Sequence, residues 1–178
     1  MAGANENDSI VKELIAENQE FVVKNAGELN KHIEGQNPKI AILTCADSRV
    51  IPEYIFNKNI GEIFVIRVAG NVALDSSVLT SIEYAVVHLN VPYLIILGHT
   101  HCGAVEATEK STEENICLFN EIKDSFPLDE EDHIKANVKR QFLMIPKRSS
   151  VIETAIKNKK LTLLGAIYHL ETGHVEFI

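Results

Sequence analysis

Two short apolar runs in this chain stop on residues with metal-binding chemistry. Residues 39–44 lead straight into Cys45, and residues 93–97 lead through Gly98 into His99. Continuous apolar runs of this length, rather than alternating ones, are how strands buried on both faces of a parallel sheet read. The first run follows Asn37 and Pro38, which punctuate the chain before it. In open α/β sheets a binding crevice forms outside the carboxyl ends of the strands, where the strand order reverses. If the strands ending at Cys45 and His99 are neighbours, both side chains arrive in one crevice with no further assumption.

The other elements follow from periodicity. A second strand is read over 62–67, ending at Val68 to Asn71, and a helix over 75–89 from Val78, Ile82, Ala85, Val86 and Leu89. Helices are predicted over 112–123, over 129–144 with Pro146 closing it, and over 150–158. A last hairpin pairs 161–170 with 174–178 around Glu171, Thr172 and Gly173. Ile10, Val11, Leu14, Ile15, Phe21 and Val22 recur at helical spacing behind Asp8 or Ser9 as N-cap, so residues 1–35 read as a helical arm on a single domain of residues 1–178. Strands alternating with helices predict an α/β fold: a mostly parallel sheet of order 2-1-3-4, a C-terminal antiparallel edge strand, and helices on the faces.

Seventeen Lys and Arg against 25 Asp and Glu give a net charge of −8, which argues against nucleic acid or an anionic membrane as partner. An anionic substrate would need a local cation, and Arg49 and Arg67 are the candidates. No apolar run approaches the ~20 residues needed to cross a bilayer. The first eight residues lack the basic start and apolar core of a signal peptide, so a cytoplasmic location is expected. Three cysteines are an odd count, and no disulfide framework is expected. Cys117, flanked by Ile116, Leu118 and Phe119, is expected to pack as a small hydrophobe on an apolar helix face.

His99 and Cys102 are spaced to reach one ion from a single turn, and Cys45 can supply a second thiolate. Three sulfur and nitrogen ligands without an obvious fourth describe an open zinc site of the catalytic kind. A fourth protein ligand would instead favour a non-enzymatic zinc module whose metal serves folding, and Asp47 is the one candidate for it. Two thiolates cancel the charge of the ion, so it is a weaker Lewis acid than one held by neutral histidines, and mildly alkaline pH should favour its activity. Beside the metal, Arg49 would keep Asp47 ionised and oriented to accept a hydrogen bond from hydroxide on the ion. His101, two residues from His99, should point elsewhere. A phosphatase reading of Cys45 fails, because that chemistry needs an Arg where Ile51 stands.

Taken in order, Cys45-Ala46-Asp47-Ser48-Arg49, Arg67-Val68-Ala69-Gly70-Asn71 and Gly98-His99-Thr100-His101-Cys102-Gly103 resemble the three signatures of the β-class carbonic anhydrases. The ending Gly165-Ala166-Ile167-Tyr168 through Thr172-Gly173-His174-Val175 is similar to the closing strand pair of that family, and the resemblance runs from about Gln36 to the C-terminus. It implies zinc-dependent, reversible hydration of carbon dioxide to bicarbonate and a proton, with one Zn2+ per chain held by Cys45, His99 and Cys102. Asp47 and Arg49 would form the catalytic dyad. Gln36 would hydrogen-bond substrate, the backbone N–H of Gly103 would face it, and Phe64 and Tyr84 would line the pocket across a homodimer interface. Higher homo-oligomers are equally compatible.

One branch of the family carries Trp three residues before its first zinc Cys, associated with a regulatory bicarbonate site. Here that residue is Ile42, so the chain resembles the branch whose zinc stays open. His169 stands where the family commonly has Asp, and nothing follows from it. A carbon disulfide or carbonyl sulfide hydrolase on the same fold is the nearest alternative; those gases are also linear and apolar, so the shape of the pocket and its access would discriminate.

Overall fold

The computed structural model describes residues 9–112, 116–129 and 131–178. The chain divides into two compact units, Met1–Gln36 and Asn37–Ile178. The first is built on one helix, α1 (Ser9–Lys31), none of whose side chains is buried. Lys31 sits in its last turn, where a cation complements the helix dipole. Glu28 pairs with Lys31 at 2.7 Å and with His32 at 3.2 Å. Ser9 is the first helical residue, and the alternative cap Asp8 lies outside the described residues.

The second unit is a five-stranded sheet of order β2-β1-β3-β4-β5. Strands β1 (Ile40–Thr44), β2 (Ile63–Arg67), β3 (Tyr93–His99) and β4 (Thr162–Tyr168) run parallel, and β5 (Val175–Phe177) closes the edge antiparallel to β4. This is the order and the edge that the sequence predicts. Because side chains alternate across a strand, Ala41 and Leu43 join Leu94 and Ile96 in one core, whereas Ile42 joins Ile95 and Leu97 in another. The first core is closed by Val78, Ile82 and Ala85 of α3 (Ser76–Val87), Val138 and Ile145 of α6 (His133–Arg148) and Ile152 of α7 (Ser150–Lys157). Val50, with the partly buried Ile55 and Phe56, covers the second. Both faces of β1 are therefore dry, which is why its sequence shows no alternation.

Caps set the helix starts. Asp75 accepts from the N–H groups of Ser77 and Val78 to open α3, and Asp132 accepts from Lys135 to open α6. Two short helices escape the periodicity, α2 (Pro52–Ile55) and α4 (Gly103–Lys110). The helix expected over 112–123 is described from Cys117 onward, as α5 (Cys117–Lys123). Pro146 does not close α6, which runs on to Arg148. Proline there removes one helical hydrogen bond, the one to the carbonyl of Phe142.

Cys117 is exposed, against the expectation of a packed thiol. It is the first residue of α5, whose buried residues, Glu121 and Ile122, lie a turn further on. Among the described residues, no helix is long and apolar enough to cross a membrane.

Candidate metal centre

The parallel ladder delivers Cys45 and His99 to the same end of the sheet. Thr44 pairs with Leu97, and its Oγ1 donates to the Leu97 carbonyl at 2.9 Å, clamping β1 to β3 next to the two residues. The ladder to β2 continues past the strand, Val68 N–H to Thr44 O and Ala46 N–H to Val68 O, both at 3.1 Å, so the backbone around Cys45 is held on that side too. Cys102 is the N-cap residue of α4, one turn from the end of β3. Turn and strand ends together bring Cys45, His99 and Cys102 into one buried group, with the ligating atoms all within 4.8 Å of one another.

The donor set fits a divalent metal in three respects. Nδ1 of His99 lies 2.9 Å from the Thr100 carbonyl, which can only accept, so Nδ1 carries the proton and Nε2 presents its lone pair. Nε2 is buried with no hydrogen-bond partner. The two sulfurs are 4.0 Å apart, and the Cys45 thiol is pushed well down by the hydrogen bond from Cys102. The same contact pushes Cys102 up. Burial pushes the His99 imidazole down, while the Cys45 sulfur and the Thr100 carbonyl beside it hold it above its ordinary value. An orphaned imidazole nitrogen beside two buried sulfurs 4.0 Å apart is a site that a cation would relieve.

Asp47 stands at the rim, its Oδ2 3.9 Å from His99 Nε2. Arg49 grips it as a fork, Nε to Oδ1 at 3.0 Å and Nη2 to Oδ2 at 2.7 Å, and its backbone N–H adds a third bond to Oδ1 at 2.9 Å. This grip holds the Asp47 carboxyl far below the usual carboxylate range. Nη2 of Arg49 also donates to the His101 carbonyl at 3.1 Å, tying the two loops of the site together. Arg67, one of the two candidate cations, donates to the carbonyls of Asp47 (2.7 Å) and Cys45 (3.4 Å) and so braces the loop. The sequence does not signal that role.

Gly103 opens α4 beside Cys102 and is exposed, with nothing within 4 Å of where a side chain would begin. Phe64 sits opposite Ala41, four residues before Cys45, which along a strand is about 13 Å from it. Its ring meets that of Tyr84 at 6.1 Å. Gln36 is the last residue of the N-terminal unit and is exposed. His101 takes a positive φ of 53° and turns its ring to Glu171, Nε2 to Oε1 at 2.7 Å, away from the donor set as its spacing predicts.

A family model described as "Carbonic anhydrase" matches residues 40–175. Carbonic anhydrase 2 of Mycobacterium tuberculosis is 37% identical over 153 residues, which cover 78% of this chain and 73% of that protein. The solved β-carbonic anhydrase CcaA superposes with a TM-score of 0.80 at 26% identity, over 96% of this chain and 92% of its own. The tetrameric β-carbonic anhydrases of the ascomycete Sordaria macrospora share the fold, with a TM-score of 0.84 at 22% identity over 96% of this chain and 98% of theirs. A family match across most of the chain, a relative well above 30% identity and a shared architecture make this chain a carbonic anhydrase of the β class.

Proposed function

We propose that this chain catalyses the zinc-dependent, reversible hydration of carbon dioxide to bicarbonate and a proton, with Cys45, His99 and Cys102 holding one Zn2+ per chain. The observation that carries this reading is the convergence of two sulfurs and one bare imidazole nitrogen beside a carboxylate that a guanidinium keeps charged. Sulfur and imidazole donors suit zinc, and three protein ligands leave one position for chemistry. Bound there, zinc would supply a nucleophile from water near neutral pH.

Asp47 and Arg49 do the orienting. Arg49 occupies lone pairs on both carboxylate oxygens, so the group cannot rotate. An ionised carboxylate has further lone pairs and no proton to give. Oδ2 therefore accepts a hydrogen bond from the attacking water oxygen, turns that oxygen's lone pair towards carbon, and rejects ligands that have no proton to donate.

Gln36, Phe64, Tyr84 and Gly103 are proposed to receive the substrate, Phe64 and Tyr84 from a neighbouring subunit. Their distance from Cys45 within one chain supports the shared pocket. So does the exposure of Tyr84, Val87 and Val151, an apolar patch suited to a second copy. The assembly is a homodimer or a larger oligomer, with an interface above the ~2,000 Å² of permanent contacts. The enzyme is proposed to be cytoplasmic, and its net charge of −8 argues against nucleic acid or an anionic membrane as partner.

Metal analysis tests the ligand set. Wild type should hold about one zinc per chain, and Cys45→Ser and Cys102→Ser should lose it. Asp47→Ala and Arg49→Ala should keep zinc and lose hydration. Full occupancy in both cysteine variants refutes the assignment.

A further inference from the structure

Behind the donor set, α6 grips the segment that follows β2 at points one helical turn apart. Asn137 donates through Nδ2 to the Gly70 carbonyl at 2.7 Å, and Gln141 accepts the N–H of Ala73 on Oε1 at 2.9 Å. Both side chains are essentially fully buried. Gln141 Nε2 reaches Asn137 Oδ1 at 3.4 Å and Glu121 Oε1 at 3.3 Å. Glu121 is held in turn by Arg140 and Arg148, and Arg148 donates to the Ala73 carbonyl at 2.8 Å.

The residue at the centre of this grip touches the site. Gly70 has φ 65° and ψ 17°, and its N–H donates to Cys45 Sγ at 3.3 Å while its carbonyl goes to Asn137. A side chain there would be strained and crowded: φ is left-handed, and a Cβ would lie 2.9 Å from Ile122 Cδ1 and 3.3 Å from Ala104 Cβ, so both neighbours would have to shift. Buried amides that are fully used at both ends specify one backbone geometry.

We infer that Asn137 and Gln141 are positioning residues, which hold Gly70 so that its N–H donates to the Cys45 sulfur and draws charge from it. The inference rests on Cys45 being a metal ligand, as proposed above. A thiolate that accepts a hydrogen bond is a weaker donor, and the ion it ligates keeps more positive charge. In a site with two thiolates this partly offsets the loss of Lewis acidity.

Cobalt(II) in place of zinc reports sulfur donation through thiolate-to-metal charge-transfer absorption. Asn137→Leu keeps the branched shape and the number of side-chain heavy atoms and loses the donor. Its charge-transfer band should move to longer wavelength, because a sulfur without the hydrogen bond is the stronger donor. Ile145→Ala, a cavity in the core further along α6, should lower stability and leave the band in place. An unmoved band in Asn137→Leu overturns the inference. Should that variant not fold, the cadmium-113 form of wild type decides: coupling between the metal and the Gly70 amide proton is expected, and its absence overturns the inference. Wild type without any thiolate charge-transfer band refutes the metal reading itself, a result distinct from an unmoved band.

Discussion

Glu121→Ala removes the acid at the centre of the polar layer beneath the site. Glu121 is only 5% exposed and bonds Arg148 at 2.7 Å, Arg140 at 3.1 Å and Gln141 at 3.3 Å. Breaking a buried ion pair by deleting one partner typically costs about 3–5 kcal/mol. Here the two arginine side chains are 18% and 19% exposed, Arg140 keeps Asp124 and Arg148 keeps the Ala73 carbonyl. Neither is stranded, so the expected loss is smaller, ~2–3 kcal/mol at neutral pH.

The loss should also depend on pH. Burial alone pushes the Glu121 carboxyl up, but Arg148 and Arg140 more than offset it and leave it below its ordinary value. A group whose folded-state pKa lies below the unfolded one contributes stability above the unfolded value, and loses it as pH falls through the folded one. The gap between wild type and variant should therefore be widest at neutral pH and narrow as the solution is acidified below about 4.3. Urea unfolding at several pH values reads this gap, with protein concentration held fixed because association adds to apparent stability. A gap of the same size at every pH would show that Glu121 acts by packing alone.

Gly70→Ala should destabilise by about 2–4 kcal/mol, since the left-handed φ costs ~1–2 kcal/mol and the overpacking against Ile122 at least as much; chemical denaturation checks it, and a cost under ~1 kcal/mol would mean that the segment relaxes freely. Cys117 should react with a thiol reagent in the folded, metal-loaded enzyme while Cys45 and Cys102 are protected, and mass spectrometry of the labelled peptides reads which sulfur is modified.

The centre of the fold was legible because its signals are local. Continuous apolar runs before Cys45 and His99 mark two buried strands, and a shared crevice needs only that they be neighbours, which the β1–β3 ladder makes them. Asp47 and Arg49 are two residues apart, so their pairing is also local. What stayed hidden depends on tertiary partners. Asn137, Gln141 and Glu121 read as an ordinary polar helix face until α5, α6 and the Gly70 segment are packed together. The bond from Gly70 to Cys45 is made by a backbone N–H, which has no residue-type signature. In α4, few strongly apolar residues break the polar run, so its pattern does not announce a helix. Phe64 and Tyr84 carry no local mark of a pocket at all; only the family resemblance singles them out.

The proposed reaction is decided by stopped-flow measurement of carbon dioxide hydration by the zinc-loaded wild type and its Asp47→Ala variant, beside sulfide release from carbon disulfide and carbonyl sulfide. Rapid hydration by wild type, a large loss in the variant at unchanged zinc content and little sulfide release from either gas are expected. Wild-type sulfide release that outpaces hydration, or hydration by Asp47→Ala at the wild-type rate, would contradict the proposal.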